Sequence, residues 1–414
     1  MTTLIRNIRQ LYQVRTTSPL LRGKELSELP MMENAWVLVE DGIISGYGRM
    51  EELPPGHGSV KDQVDAAGGA VLPAWCDSHT HIVFEGSREA EFVDKIRGLS
   101  YAEIAARGGG ILQSAKRLHE ASEDSLFNQA WARLEEVSKM GTGAIEIKSG
   151  YGLTVEGELK MLRVIKKLRE RSNLEIKATF LGAHTYPLEY REDHAGYIRL
   201  IREEMLPVIA AEKLADYIDV FCEDGFFSPE EAEEICRAGM AVGLKPKIHA
   251  NQMNMSGGTQ VGVKLGAVSV DHLENMDEEA IHALAGSNTI GTLLPTAAFF
   301  LRVAYQPARH LIDAGSVIAL ASDYNPGSSP SGNMNLVVSM ACIQMRMLPE
   351  EAVNAATLNG AHAMELGDKL GSITLGKKAN LILTHPIPSL AYLPYAFGSP
   401  QVRGMILGTY RSEF

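Results

Sequence analysis

Two histidines one residue apart, His79 and His81, close an apolar run that begins Ala70-Val71-Leu72-Pro73-Ala74-Trp75-Cys76 and passes through Asp77 and Ser78. Side chains at i and i+2 of a strand point the same way, so the pair can offer two imidazoles to one point in space. That is half of a metal site. The other half must come from later strands that end in further ligands. Candidates stand in order along the chain: His184 after Gly182-Ala183, His249 after Lys247-Ile248, the pair Asp271-His272, and Ser322-Asp323. Imidazole nitrogen and carboxylate oxygen suit a zinc or iron ion, and a catalytic centre keeps one position open for water. His79, His81, His249 and Asp323 would supply three nitrogens and one oxygen around such an opening.

The elements that must carry these residues follow from the hydrophobic pattern. From Val71 onward, apolar strand-like runs alternate with helical segments rich in Glu, Lys, Leu and Ala. The runs are Val71–Cys76, Gly143–Ile147, Glu175–Leu181, Tyr217–Phe221, Lys245–Ile248, Ala267–Val270, Thr289–Leu294 and Val317–Ala321. Between them lie segments such as Val155–Arg171, where Leu159, Leu162 and Ile165 recur at helical spacing among charged residues. Repeated strand-then-helix units imply parallel strands with helical crossovers, and eight of them predict a closed barrel. In such barrels the chemistry sits at the C-terminal ends of the strands. Four of the eight ends carry histidine and the last an aspartate, a concentration that 12 histidines spread over 414 residues would not give.

The two chain ends read differently. Residues 1–66 hold short strands, with Trp36–Val39 and Ile43-Ile44 joined through Glu40-Asp41-Gly42, an Asp-Gly hairpin signal. From about Asp368 the chain returns to short strands, including Leu370–Ile373 and Ala379–Leu383. Neither piece can bury much core alone. The expected fold is therefore α/β: a (β/α)8 TIM-like barrel over residues 67–367, and a small β-sandwich domain built from residues 1–66 and 368–414 together.

Composition bounds the partners. A formal net charge of -12 excludes a general nucleic-acid binder, which would show a basic face. The four cysteines, Cys76, Cys222, Cys236 and Cys342, form no C-x-x-C pair, so reduced thiols in a cytoplasmic protein are expected. The first 17 residues lack the apolar core of a secretory signal, and no apolar run of 18 residues predicts a membrane span.

Several stretches are more specific. They are His79-Thr80-His81-Ile82-Val83-Phe84 with Gly86-Ser87-Arg88, Ala106-Arg107-Gly108-Gly109-Gly110-Ile111, Lys148-Ser149-Gly150-Tyr151-Gly152-Leu153 and Phe180-Leu181-Gly182-Ala183-His184. Lys247-Ile248-His249-Ala250, Val270-Asp271-His272-Leu273 and Ser322-Asp323-Tyr324-Asn325-Pro326-Gly327-Ser328-Ser329-Pro330 complete the set. In this order they resemble the amidohydrolase superfamily, and within it the imidazolonepropionase family, cyclic-amide hydrolases of histidine degradation. The first pair marks the superfamily alone; the K-S-G-Y-G-L and D-x-N-P-G-S-S-P stretches are much narrower.

The resemblance implies hydrolysis of 4-imidazolone-5-propanoate to N-formimidoyl-L-glutamate with one divalent ion, Zn2+ or iron. Such an ion makes water acidic enough to attack the ring carbonyl at neutral pH. Asp323 and His272 are implied to handle protons, with orientation of the water as the alternative for His272. Arg88 is expected to grip the propionate, because guanidinium takes a carboxylate through two parallel hydrogen bonds. Tyr151, His184, Asn325, Gly327 and Ser328 are implied substrate contacts. The family carries glutamate or glutamine three residues after the fifth-strand histidine, and here Gln252 can hydrogen-bond the ring but cannot act as a base. Lys148 is read as a local charge partner, and the Gly108-Gly109-Gly110 run as a flexible loop beside the site, no phosphate-loop pattern accompanying it. A homodimer is usual for enzymes of this build. The competing readings are a nucleobase-type deaminase and a barrel that binds metal without turnover.

Overall fold

The computed structural model describes residues 1–99, 103 and 109–413. Ala106, Arg107 and Gly108 of the quoted motifs lie outside the described residues, so of the glycine run only Gly109 and Gly110 are placed. None of the described helices is long and apolar enough to cross a membrane.

Eight parallel strands form one sheet in chain order: β6 (Trp75–Thr80), β7 (Thr142–Lys148), β8 (Glu175–Ala183), β9 (Tyr217–Cys222), β10 (Lys245–Ala250), β11 (Ser269–His272), β12 (Ile290–Leu293) and β13 (Ile318–Leu320). The expected barrel and its accompanying sheet from both chain ends are present. The barrel closes at a seam just past β13. There Asp323 N–H donates to His79 O at 3.0 Å and His81 N–H to Tyr324 O at 2.9 Å. The Asp77 carboxylate spans the same seam, accepting from Ser322 N–H at 2.9 Å and Ser322 Oγ at 2.6 Å.

The crossover helices follow from local chemistry. The helix Val155–Arg171 starts where the Thr154 side chain accepts from Gly157 N–H and ends with Arg169 and Arg171 in its last turn. Both ends suit the helix dipole and its orphan backbone groups. Leu159, Leu162 and Ile165 are buried on its inner face, each contributing roughly 1.5–3 kcal/mol.

The second sheet takes strands from both ends, in the order β16-β15-β14-β5-β1-β2-β3 with β4 beside β1. Here β1 is Thr2–Tyr12, β2 Met31–Glu40, β3 Ile43–Arg49, β4 Asp62–Asp65, β5 Ala70–Pro73, β14 Asn380–Thr384, β15 Val402–Leu407 and β16 Tyr410–Glu413. Ile5, Val37, Val71, Leu381 and Ile406 share one core, so neither chain end completes it alone. The Asp-Gly hairpin forms as expected, with Asp41 at φ 47° and Gly42 at φ 81°.

The apolar run Val71–Cys76 divides between the two sheets. Val71 pairs with Leu11 and Leu383 in the end sheet, whereas Trp75 pairs with Thr142 in the barrel. The switch is at Ala74, whose N–H goes to Asn380 O, while the next N–H, of Trp75, goes to Gly141 O. A run buried throughout gives no periodic sign of such a switch. Leu370–Ile373 makes only an isolated bridge, from Ile373 to Val14.

Candidate active site

His79 and His81 come off the end of β6 with their Nε2 atoms 3.3 Å apart. Each Nε2 lies 3.6 Å from Asp323 Oδ1, reached across the seam. The His249 ring, from the end of β10, is centred 4.5 Å from that of His79. Two donor groups, His79/His81/His249 and His79/His272/Asp323, each gather within 4.8 Å and share His79, which makes them parts of one centre. His81 Nδ1 and both His249 ring nitrogens are buried without a hydrogen-bond partner. A single ion takes one nitrogen of each ring. The orphaned His249 Nε2, with the Nε2 atoms of His79 and His81 that face each other beside Asp323, is what a divalent cation would satisfy, so the donor set fits a divalent metal. Burial, together with neighbouring cationic groups, holds His79, His81 and His249 well below the ordinary imidazole pKa, in the neutral form that ligates.

Beneath the imidazoles lies a bed of charges inside the barrel. Asp271 Oδ2 sits 2.7 Å from His79 Nδ1, and Asp219 Oδ2 sits 3.0 Å from His249 Nδ1, the latter out of line for a full hydrogen bond. Lys148 Nζ reaches Glu146 at 2.6 Å, Asp219 at 2.8 Å and Asp271 at 3.5 Å; Lys247 pairs with the other oxygen of Glu146. All five are fully buried. Their formal sum is one negative charge, a bed that favours a cation above it. The ion-pair contacts of Lys148 agree with its reading as a charge partner.

Above the centre opens a cavity of about 410 Å³. His81, His249, His272 and Asp323 line its floor, and Tyr151, His184 and Gln252 line it as well; Asn325 and Ser328 lead from Asp323 to its far side, where Arg88 meets Gly327. His79 lies below the floor. Burial raises the Asp323 carboxyl to about 6, against the lowering effect of His272 and of hydrogen bonds from the Asn325 and Ser328 side chains. A bound divalent cation would pull it back down. For His272, burial acts to lower the pKa, but Glu274, Asp323 and Asp271 outweigh it and the net shift is upward. His272 holds φ at 87° and Asp323 at 54°, left-handed values for non-glycine residues, the kind of backbone strain that concentrates at functional sites. His184 stacks on His81 with ring centres 5.5 Å apart, its Nδ1 is 3.0 Å from Gly150 O, and burial lowers its pKa to about 4.

At the far side, Arg88 Nε and Nη2 both donate to Glu91 Oε2, at 2.9 and 2.5 Å. The last loop is folded on itself. Asn325 Nδ2 donates to Asp323 O and Ser328 Oγ, while Asn325 Oδ1 accepts from Gly327 and Ser328 N–H, all between 2.7 and 2.8 Å. Both backbone donors are thus turned to Asn325. Ser328 Oγ also reaches Asp323 Oδ2 at 3.1 Å, which leaves Oδ1 toward the imidazoles.

The amidohydrolase family profile matches residues 70–408. The chain belongs to this family. A Flavobacterium johnsoniae protein named imidazolonepropionase is 59% identical over 408 residues, covering 98% of this chain and 99% of the relative. One of that name from Christiangramia forsetii is 55% identical over 404 residues, covering 97% and 98%. Among solved structures, a triazine hydrolase variant superposes with TM-score 0.74 at 16% identity, covering 98% of this chain and 94% of that one. An adenosine deaminase from Xanthomonas campestris with bound zinc gives 0.68 at 17%, covering 98% and 92%. At such identities these two likenesses are of fold alone.

Within this amidohydrolase barrel, the sequence pattern assigned no role to Asp77, Asp219, Glu274, Glu91 or Lys95, and marked Asp271 only as a polar strand end beside His272. A signal existed for the three aspartates. Central parallel strands covered on both faces should read as near-continuous apolar runs, so an aspartate inside one marks a paired interior charge. Glu158 was likewise hidden. Its carboxylate accepts from Gly150, Gly152 and Leu153 N–H at 3.1, 2.7 and 3.1 Å and so fixes the loop that carries Tyr151.

Proposed function

We propose that this chain hydrolyses 4-imidazolone-5-propanoate to N-formimidoyl-L-glutamate, the ring-opening step of histidine degradation. The observation that carries the reading is a single cavity with a His/Asp donor cluster on its floor and an arginine at its far side. The relatives' shared name, imidazolonepropionase, supports it over almost the whole chain.

His79, His81, His249 and Asp323 would hold the ion, zinc or iron by donor type. Bound there, a divalent ion supplies an acidified water and polarises the ring carbonyl. The Asp323 carboxylate takes the water's proton as the water oxygen bonds to the carbonyl carbon, then gives it to the ring nitrogen as the bond between that nitrogen and the carbonyl carbon breaks. His272, backed by Glu274 Oε1 at 3.5 Å from its Nδ1, steadies the oxygen that gains charge. Gln252, having no carboxylate, can only hydrogen-bond the ring. Tyr151 and His184 flank the planar ring, and Arg88 receives the propionate at the far side. A nucleobase deaminase would have no use for that cation.

The test is direct: imidazolone-propanoate generated enzymatically, its ultraviolet absorbance followed against spontaneous decay, with bound metal measured by elemental analysis. Acceleration with about one zinc or iron per chain is expected; none at any metal loading would end the assignment. Arg88→Met should raise KM about tenfold or more with a smaller effect on kcat. An unchanged KM would remove Arg88 from the tail site and reopen the deaminase reading.

A further inference from the structure

We propose that Lys95 is the residue that gives the far side of the cavity its net positive charge, and so selects a substrate with an anionic tail. The inference rests on the ring-opening reading above and adds a residue to it.

Arg88 alone does not make that side cationic. Both of its donors on the Glu91 side go to Glu91 Oε2, and Glu91 is itself fixed, since Oε1 accepts from Gly110 N–H at 3.0 Å. The guanidinium and this carboxylate cancel, leaving Arg88 as a shaped hydrogen-bond donor within a neutral pair. Lys95 lies one turn beyond Glu91 on the helix Glu89–Ile96, on the same helix face as Arg88 and Glu91. Lys95 lines the same cavity, its Nζ 3.3 Å from Gly327 O and 5.8 Å from the Phe300 ring centre. Among the described residues no carboxylate forms an ion pair with it. Gly327 ties the two cations together. A Cβ built there would run into Arg88 Nη1, so the guanidinium edge and the ammonium border the same backbone segment.

Charge counting then matches the ligand. Among the described residues that meet there, Arg88, Glu91 and Lys95 sum to one positive charge, which one carboxylate neutralises. Without Lys95 the sum is zero, and a neutral tail would be held about as well. Partial burial and the nearby arginine lower the Lys95 pKa and outweigh the opposing pull of Glu91, whose carboxylate is engaged by Arg88.

The competing role is a tether, in which the ammonium merely holds the Gly327 carbonyl and the last loop. Lys95→Gln separates the two, because its amide can still donate to Gly327 O but carries no charge. The experiment measures kcat and KM for imidazolone-propanoate with wild type, Lys95→Gln, Lys95→Met and Lys95→Arg. Expected are a KM raised about tenfold in both neutral variants, kcat within about threefold of wild type, and near-complete recovery in Lys95→Arg. Wild-type KM should also climb more steeply with salt than that of Lys95→Gln. A Gln variant with wild-type KM, or neutral variants that lose kcat alone, would make Lys95 a tether and overturn the proposal while leaving the ring-opening reading intact. A wild type that does not turn over the substrate would overturn both.

Discussion

Asp271 offers the sharpest test of how the centre is built. Its Oδ2 lies 2.7 Å from His79 Nδ1, the length of a charge-assisted bond, and both groups are fully buried. Carboxylates behind ligating histidines are worth about 10–100-fold in metal affinity, or roughly 1.4–2.8 kcal/mol. Two substitutions divide that range. In Asp271→Asn the amide oxygen can still accept from Nδ1–H, so only the charge is lost and affinity should fall about tenfold. In Asp271→Ala the N–H has no acceptor, His79 loses its fixed tautomer, and the loss should approach about a hundredfold. Neither change strands Lys148, which keeps Glu146 at 2.6 Å and Asp219 at 2.8 Å, so both variants should fold. Metal retained across a graded series of chelator concentrations, read by elemental analysis, gives the affinities, and urea midpoints check the fold. Affinities within twofold of wild type for both variants would refute the role given to Asp271. An Asn variant as weak as the Ala variant would place the effect in the charge and not in the hydrogen bond.

Other outcomes follow from the same geometry. His272→Ala should lower kcat by about a hundredfold if the imidazole acts on the reacting oxygen; a loss of only a few-fold, measured in the absorbance assay, would reduce it to a packing residue. Glu158→Gln should cost about 1–3 kcal/mol in urea unfolding, because an NH2 then faces one of the three N–H donors that the carboxylate now accepts; an unchanged midpoint would contradict this. Burial lowers the pKa of His79, His81 and His249, so protons compete for these nitrogens only below the ordinary imidazole range. Metal content after dialysis should therefore hold as the pH drops from about 7 to about 6, and a loss centred near 6.5 would mean that the imidazoles titrate as free ones do.

The β/α rhythm and the polar strand ends were readable because each is local: a short apolar run, then a histidine or aspartate. The pairing of the two chain ends was readable for a different reason, since neither could bury a core alone. What escaped was non-local. Thr2–Tyr12, with Arg6 and Arg9 interleaved, looks like several short pieces until it is seen paired with β2, β4 and β5. Val71–Cys76 looks like one strand because burial in two different sheets leaves the same apolar signature. The charges of Lys148, Asp219 and Asp271 acquire meaning only once three strands bring both carboxylates within 3.5 Å of the Lys148 ammonium. Arg88 was visible as a cation, but its engagement by Glu91 three residues on was not.

The seam carries a last consequence, for the order in which the chain is made. His79, His81 and His249 leave the ribosome well before Asp323, which follows the first of them by roughly 240 residues, a separation over which loop closure is slow to be repaid. Until Ser322, Asp323 and Tyr324 emerge, β6 can pair only on its β7 side, and the Asp77 carboxylate, His79 O and His81 N–H lack their partners across the seam. A nascent or truncated chain thus holds three of four ligands and no closed barrel, and the centre gains its fourth donor in the same event that zips the first strand to the last.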